Sequence, residues 1–273
     1  MALLRCLYLD LDGTLLGRAG SLLHDGEGVP TLLGARAMEA CLRGGVEVVL
    51  MSGRREQTVR EPARLLGQGS YIYEAGAVLV LDGEPRWLTG DLRPGALTVH
   101  QQVAERGAPA LLLAHFAGRL EPHAPWHRGR EVSHLYRGLV DAAEADALLA
   151  AHGHGDLRLV DNGGVHAPDH RLDRALEPLR AYHLVPAGAS KANAVAAHLR
   201  ARALEPGDAI AIGDSREDLG VAASVGTFWL VANAVERDPA IRAAAAAAGN
   251  VRFAEEGFGA GVYEAVVTTL AER

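Results

Sequence analysis

Lysine is almost missing from this 273-residue chain: of its 27 basic residues, 26 are arginine and one, Lys191, is lysine. A chain that meets its ordinary surface charge with arginine has no solvation reason to keep a single lysine. That ammonium is therefore a candidate for a specific task, with chance as the alternative. Cysteine is scarce too. Cys6 and Cys41 cannot staple a fold of this length, and Cys6 lies in an apolar run that reads as a buried strand, which fits a reducing cytosol. No apolar stretch reaches the ~18 residues that span a bilayer, and residues 1–9 have neither a signal-peptide core nor a cleavage site, so a soluble cytoplasmic protein is expected. Bulk positive charge is lacking as well: 27 Lys+Arg face 34 Asp+Glu, for a net charge of −7, and no basic stripe interrupts it. Nucleic acid is not an expected partner. A Walker loop and a dinucleotide fingerprint are also absent, because Gly13 and Gly53 stand too isolated.

What remains is 49% apolar residues, enough for one large or two modest domains. An apolar run at 3–9 gives way to Asp10-Leu11-Asp12-Gly13-Thr14. A helix then runs from 35 to 42, and a strand over 46–51 ends in Ser52-Gly53-Arg54. A helix over 56–66 and a short strand at 71–73 follow, and Asp82-Gly83 reads as a hairpin turn. This alternation predicts an α/β fold, a doubly wound parallel sheet of Rossmann-like type. Between 83 and 184 the character changes: ten of the 12 histidines fall there. Helices are expected at 96–106 and 141–151, and strands near 110–114, 132–136 and 157–160. This segment reads as a separate α+β domain inserted into the first, so residues 1–82 and 185–273 form the core and 83–184 the insertion. A helix from Lys191 with Ser190 as N-cap, a strand at 209–212 before Gly213-Asp214, a helix from Asp218 and a strand at 227–231 complete the core.

Asp10, Ser52 and Asp214 each end a buried strand, and Lys191 opens a helix. In an open α/β sheet the ligand crevice lies outside the carboxyl ends of the strands, so these residues converge despite their distance in sequence. Period-2 geometry lets Asp10 and Asp12 face one side. A third carboxylate, Asp214, makes a hard oxygen site suited to Mg²⁺. The alternative for Asp-x-Asp alone is a turn with solvated acids. The Ser52 hydroxyl and the N–H groups of the turn after it suit phosphate oxygens, and Lys191 adds charge where a helix dipole already favours anions.

These motifs, Asp10-Leu-Asp12-Gly-Thr14, Ser52-Gly-Arg54, Lys191 and Gly213-Asp214-Ser215-Arg216-Glu217-Asp218, resemble those of the haloacid dehalogenase superfamily of phosphatases and phosphotransferases. With the large insertion between the second and third, the chain looks like the Cof-like, type IIB branch, which includes sugar-phosphate phosphatases and phosphomannomutases. The resemblance implies that Asp10 attacks phosphorus to form an aspartyl-phosphate and that Asp12 protonates the leaving alcohol and then activates water. It further implies Mg²⁺ bound by the Asp10 carboxylate, the Asp12 carbonyl oxygen and Asp214, with Asp218 ligating or supporting, and a phosphoryl group held by Ser52, Gly53 and Lys191. Three positions depart from the pattern: Glu217 stands where Asn is common, Ala75 where Asn is frequent, and Ala192 where Gly is usual.

The insertion resembles a cap that selects the substrate. Arg119, His123, His127, Arg128, Arg130, His134 and Arg137 cluster within it, a pattern suited to gripping a phosphate or carboxylate, although a solvated polar loop explains it equally. Arg128, Arg130 and His166 are its specificity candidates. His152-Gly-His154 reads as a loop and not a metal pair, and the glycines of Asn162-Gly163-Gly164 either let backbone approach a ligand or make a turn, the turn being preferred. The expected function is a Mg²⁺-dependent phosphomonoester hydrolase acting on a small phosphorylated metabolite, a sugar or polyol phosphate, as a monomer or small homo-oligomer. The alternatives are a sugar phosphomutase and a non-catalytic phosphate-ligand sensor.

Overall fold

The structure, a computed structural model, describes residues 3–165, 169–173, 176 and 178–272. Its main sheet has eight strands: β1 (Cys6–Asp10), β2 (Glu47–Met51), β3 (Tyr71–Tyr73), β4 (Val78–Leu81), β5 (Glu84–Trp87), and, after the inserted elements, β10 (Ala209–Gly213), β11 (Thr227–Leu230) and β12 (Val251–Phe253). Their order is β12-β11-β10-β1-β2-β3-β4-β5, parallel from β12 to β3 and antiparallel for the last two pairings. Every residue of β1 and β10 is buried, as expected of central strands covered on both faces. Alternation divides them: Leu7 and Leu9 pack with Ala37, Met38 and Val262 on one side, whereas Cys6 and Tyr8 pack with Ala194, Val195 and Leu199 on the other. Each such buried leucine contributes ~1.5–3 kcal/mol relative to exposure.

Register carries the site. Asp10 lies opposite Met51, and Leu9 lies opposite both Leu50 and Ile212. The ends of β1, β2 and β10 are therefore level, and Asp10, Ser52 and Asp214 emerge side by side. The chain runs outward from β1 in one direction through β2 and β3, and in the other through β10 and β11, so the crevice opens between β1 and β10.

The second sheet is antiparallel and has four strands, β6 (Leu120–Pro122), β7 (His134–Gly138), β8 (Leu157–Gly164) and β9 (Arg180–Pro186), in the order β6-β7-β9-β8. The helices Val99–Glu105, Ala108–His115 and Ala142–Ala151 cover one face, where Val99, Leu112, Phe116 and Leu149 meet Tyr136, Leu159, Tyr182 and Leu184. The other face looks across to the core.

Several expectations need correction. The apolar run at 110–114 is helical, within Ala108–His115: Gly107 takes φ +83° and Pro109 sits in the first turn, and a short apolar run does not by its pattern separate buried strand from buried helix. The strand expected at 132–136 is His134–Gly138. Asn162-Gly163-Gly164 is not a turn but the end of β8, where the register against β9 shifts between Asp161 and Gly164, the irregularity that strand glycines permit. β5 belongs to the main sheet, so the change of sheet falls after Trp87 and not at 82, and β9 spans the boundary expected at 184.

Candidate active site

Asp10 is buried at the end of β1. Its Oδ1 accepts from Lys191 Nζ at 2.8 Å and its Oδ2 from the Thr14 hydroxyl at 3.1 Å. Lys191 gets there because Ser190 caps the helix Lys191–Arg202, its hydroxyl accepting from the Asn193 N–H at 3.0 Å. The ammonium also meets Asp218 at 2.6 Å and Glu217 at 3.0 Å. Burial works against its charge, but Asp10, Asp218 and Glu217 more than offset that and hold it protonated well above the ordinary lysine range. Asp10 is pushed well above the usual carboxylate range, by burial first and by the nearby Asp218 and Asp214, with Lys191 opposing.

Asp218 is fully engaged: its Oδ2 accepts from the N–H groups of Asp214 and Ser215 and from the Ser215 hydroxyl at 2.6 Å. Asp214 pairs with Arg237 at 2.6 Å. Burial and Asp218 push Asp214 up to about 7 against the pull of Arg237 and Lys191. Gly13 makes this closeness possible: at φ +85° a Cβ there would lie 2.2 Å from Asp214 Oδ2 and 2.6 Å from Arg237 Nη1.

Carboxylate oxygens of Asp10, Asp214 and Asp218 lie within 4.8 Å of one another. A buried set of hard oxygen donors, two of them pushed toward neutrality by burial and by neighbouring carboxylates, fits Mg²⁺. Ser52 is buried beside them, its hydroxyl accepting from the Arg54 N–H at 3.1 Å. The Asp12 carboxylate does not join the cluster. Its two oxygens take a bidentate bond from Arg54, at 2.7 and 2.5 Å, because the chain has already left the strand at Leu11 and the neighbouring loop after β2 supplies a guanidinium. Asp12 nevertheless faces the same cleft as Asp10.

Between the main sheet and the open face of the second lies a cleft of about 1370 Å³. It brings together Asp10, Asp12, Ser52, Gly53, Lys191, Asp214 and Asp218 and, from the insertion, His123, Arg128 and Arg130. Buried Arg130 spans both parts: its Nη1 donates to the Gly53 carbonyl and to Ser133 Oγ, each at 3.0 Å. Burial and the cations Arg137 and Arg130 lower His123 to about 4. The rest of the expected cluster points elsewhere: Arg137 pairs with Glu121, His134 stacks on His100 at 3.7 Å, and Arg119 lies over Phe116. His127 does not line the cleft, and His166 lies outside the described residues. His152 closes a helix, bonding its own Leu148 carbonyl, and no metal-sized grouping among the described residues includes it.

Sequence reasoning missed Arg237, His183 and Glu74. Nothing in the sequence marks Arg237, which arrives from the end of the helix Ala232–Arg237. Glu74 is fully buried and accepts the N–H groups of Glu131, Val132 and Ser133, tying the insertion to the core. His183 packs against Gly53, where a Cβ would lie 2.8 Å from its Nε2.

A parallel sheet whose central strand delivers a buried carboxylate to a lysine and an acidic cluster, under a second sheet, makes a capped α/β fold with its polar groups gathered in one cleft. The chain is 30% identical over 269 residues to the phosphoglycolate phosphatase of Methanoculleus marisnigri, covering 97% of this chain and 96% of that one. It is 28% identical over 246 residues to that of Halorubrum lacusprofundi, covering 88% of each. In fold it matches the sucrose-phosphatase of Synechocystis, with a TM-score of 0.65 and 17% identity over 97% of each chain. It also matches a haloalkanoate-superfamily phosphatase of Bacteroides thetaiotaomicron, with a TM-score of 0.63 and 18% identity over 97% of this chain and 95% of that one. No family model matches. The chain belongs to the haloacid dehalogenase superfamily, among its capped phosphatases. No helix among the described residues is long and apolar enough to cross a membrane.

Proposed function

We propose that this chain is a Mg²⁺-dependent phosphomonoester hydrolase that works through an aspartyl-phosphate on Asp10, with residues 83–184 as the cap that chooses the substrate. The observation that carries the reading is the placement of Asp10, whose carboxylate ends the central strand between Lys191 at 2.8 Å and the acidic cluster. An Asp10 oxygen attacks phosphorus as the bond to the leaving oxygen breaks, and Asp12 gives that oxygen its proton. Water then attacks the phosphorus of the aspartyl-phosphate and passes a proton to Asp12, and the Asp10–phosphorus bond breaks to release phosphate. To act, Asp12 has to part from Arg54. Lys191, the Ser52 hydroxyl and the N–H groups after it would hold the transferred group, so charge neutralisation comes from fixed donors. Asp10, Asp214 and the Asp12 carbonyl would hold Mg²⁺, which when bound adds positive charge against the phosphoryl oxygens. Asp218, already committed to Lys191 and the Ser215 turn, would support the site rather than ligate.

The substrate is a small phosphorylated metabolite, a sugar or polyol phosphate or a hydroxy-acid phosphate of the kind the curated relatives are named for. Phosphate release from p-nitrophenyl phosphate and from such esters, dependent on added Mg²⁺ and lost with chelator, is the expected result. Interconversion of sugar-phosphate isomers without phosphate release would replace this reading with a phosphomutase, and absence of any turnover would replace it with a sensor.

A further inference from the structure

Pairing off the charges that line the cleft leaves two unmatched. Asp12 takes Arg54, Asp161 takes Arg180, Asp238 takes Arg216, Asp214 takes Arg237, and Asp10 and Asp218 share Lys191. Arg130 has the buried Glu74 carboxylate near it. Arg55 and Arg128 both line the cleft, and neither forms an ion pair with a carboxylate among the described residues. They are also neighbours, one from each part of the molecule. Arg55 follows the Ser52-Gly53-Arg54 turn of the core, and its Nη1 reaches the Arg128 carbonyl at 3.5 Å. Gly129, at φ +68°, allows this, because a Cβ there would lie 2.8 Å from that nitrogen. Two guanidinium groups that line one cleft without a carboxylate partner among the described residues suit a carboxylate or phosphoryl group.

We infer that Arg55 and Arg128 form a clamp for a second anionic group on the substrate, carried by the leaving group and distinct from the phosphoryl group held at Asp10 and Lys191. This rests on the phosphatase reading and deepens it: the preferred ester is anionic in two places, and a polyol phosphate with no second anionic group is the poorer substrate. One arm of the clamp is on the cap and one on the core, so the leaving group itself helps to bring the two together. Arg55, within the core beside the phosphoryl site, becomes a specificity residue that the cap alone does not contain.

The test uses the full chain with Mg²⁺ and a matched set of esters: 2-phosphoglycolate, 2-hydroxyethyl phosphate, in which CH₂OH replaces the carboxylate, and ethylene glycol bisphosphate, with p-nitrophenyl phosphate as a generic ester. The wild type is expected to favour an anionic ester over 2-hydroxyethyl phosphate by at least ~10-fold in kcat/KM, and in Arg55→Ala/Arg128→Ala that ratio falls to near one, mainly through KM. Whichever of the carboxylate and bisphosphate esters is preferred identifies the anion. Both arginines lie at the cleft surface, and Arg55→Lys/Arg128→Lys is expected to restore part of the preference. Turnover without any preference for charge, or a double variant that keeps the wild-type ratio, overturns the inference alone. No phosphate release from any ester, p-nitrophenyl phosphate included, overturns the phosphatase reading and the clamp with it.

Discussion

The two walls of the cleft are built differently. On the core wall, Asp10, Ser52, Lys191 and Asp218 are all at most 5% exposed, and each side chain is held by at least one hydrogen bond. On the cap wall Trp126 is 61% exposed and Arg128 stands open. Groups that must meet phosphorus in one geometry are fixed before the substrate arrives, and groups that read a variable leaving group remain in contact with water. Arg130 on the cap side and Glu74 on the core side are buried and hydrogen-bonded across the boundary, and they join the walls.

The largest effect that would sharpen this contrast is expected from Asp10→Asn. The amide keeps the shape but is a poor nucleophile, so phosphate release should fall by ~10³-fold or more. Melting should stay level or rise, because a carboxylate that burial already disfavours in its charged form is gone. Retention of more than a few per cent of activity would exclude the covalent route.

Next comes Lys191→Arg. Charge is conserved, but a longer planar group must fit where an ammonium touches three carboxylates in a site 2% exposed. We expect ~10²-fold lower kcat and a loss of about 3 kcal/mol of stability, seen as a lower melting temperature. Near wild-type kinetics would mean that the single lysine is accidental.

Arg130→Ala tests where the division between walls lies. Sequence alone groups Arg130 with residues that read the leaving group, which predicts a change confined to substrate choice. Its bond to the Gly53 carbonyl instead predicts a loss of ~10-fold on p-nitrophenyl phosphate as well, because the turn that would hold the phosphoryl group loses its brace. A variant affected only on larger esters would return Arg130 to the specificity set.

The smallest effect concerns the cap's stability towards acid. Burial and His100 lower His134 from 6.5 to about 4. The unfolded chain therefore takes up this proton first, so the contribution is complete above pH 6.5 and is lost as pH falls toward 4, by roughly 3 kcal/mol. Thermal melts of His134→Gln between pH 7.5 and 4.5 should show a shallower pH slope than wild type. An unchanged slope would show that the stacked His100–His134 pair does not govern it.

The parallel core was legible because its strands are continuous apolar runs closed by polar residues, and its helices carry readable caps such as Ser190. The cap was read less well: its apolar run at 110–114 has no period that separates helix from strand, and the glycines after Asp161 continue a strand through an irregular register. The sequence by itself determined which groups stand at the ends of β1, β2 and β10, because burial and alternation are local and strand register then makes them level. Only the tertiary structure decided which charges pair. Arg237 reaches Asp214, Glu74 collects the N–H groups of residues 131–133, and Arg55 meets Arg128, all through contacts between segments far apart in sequence. No periodicity encodes such partners; they follow from how two sheets come to face each other.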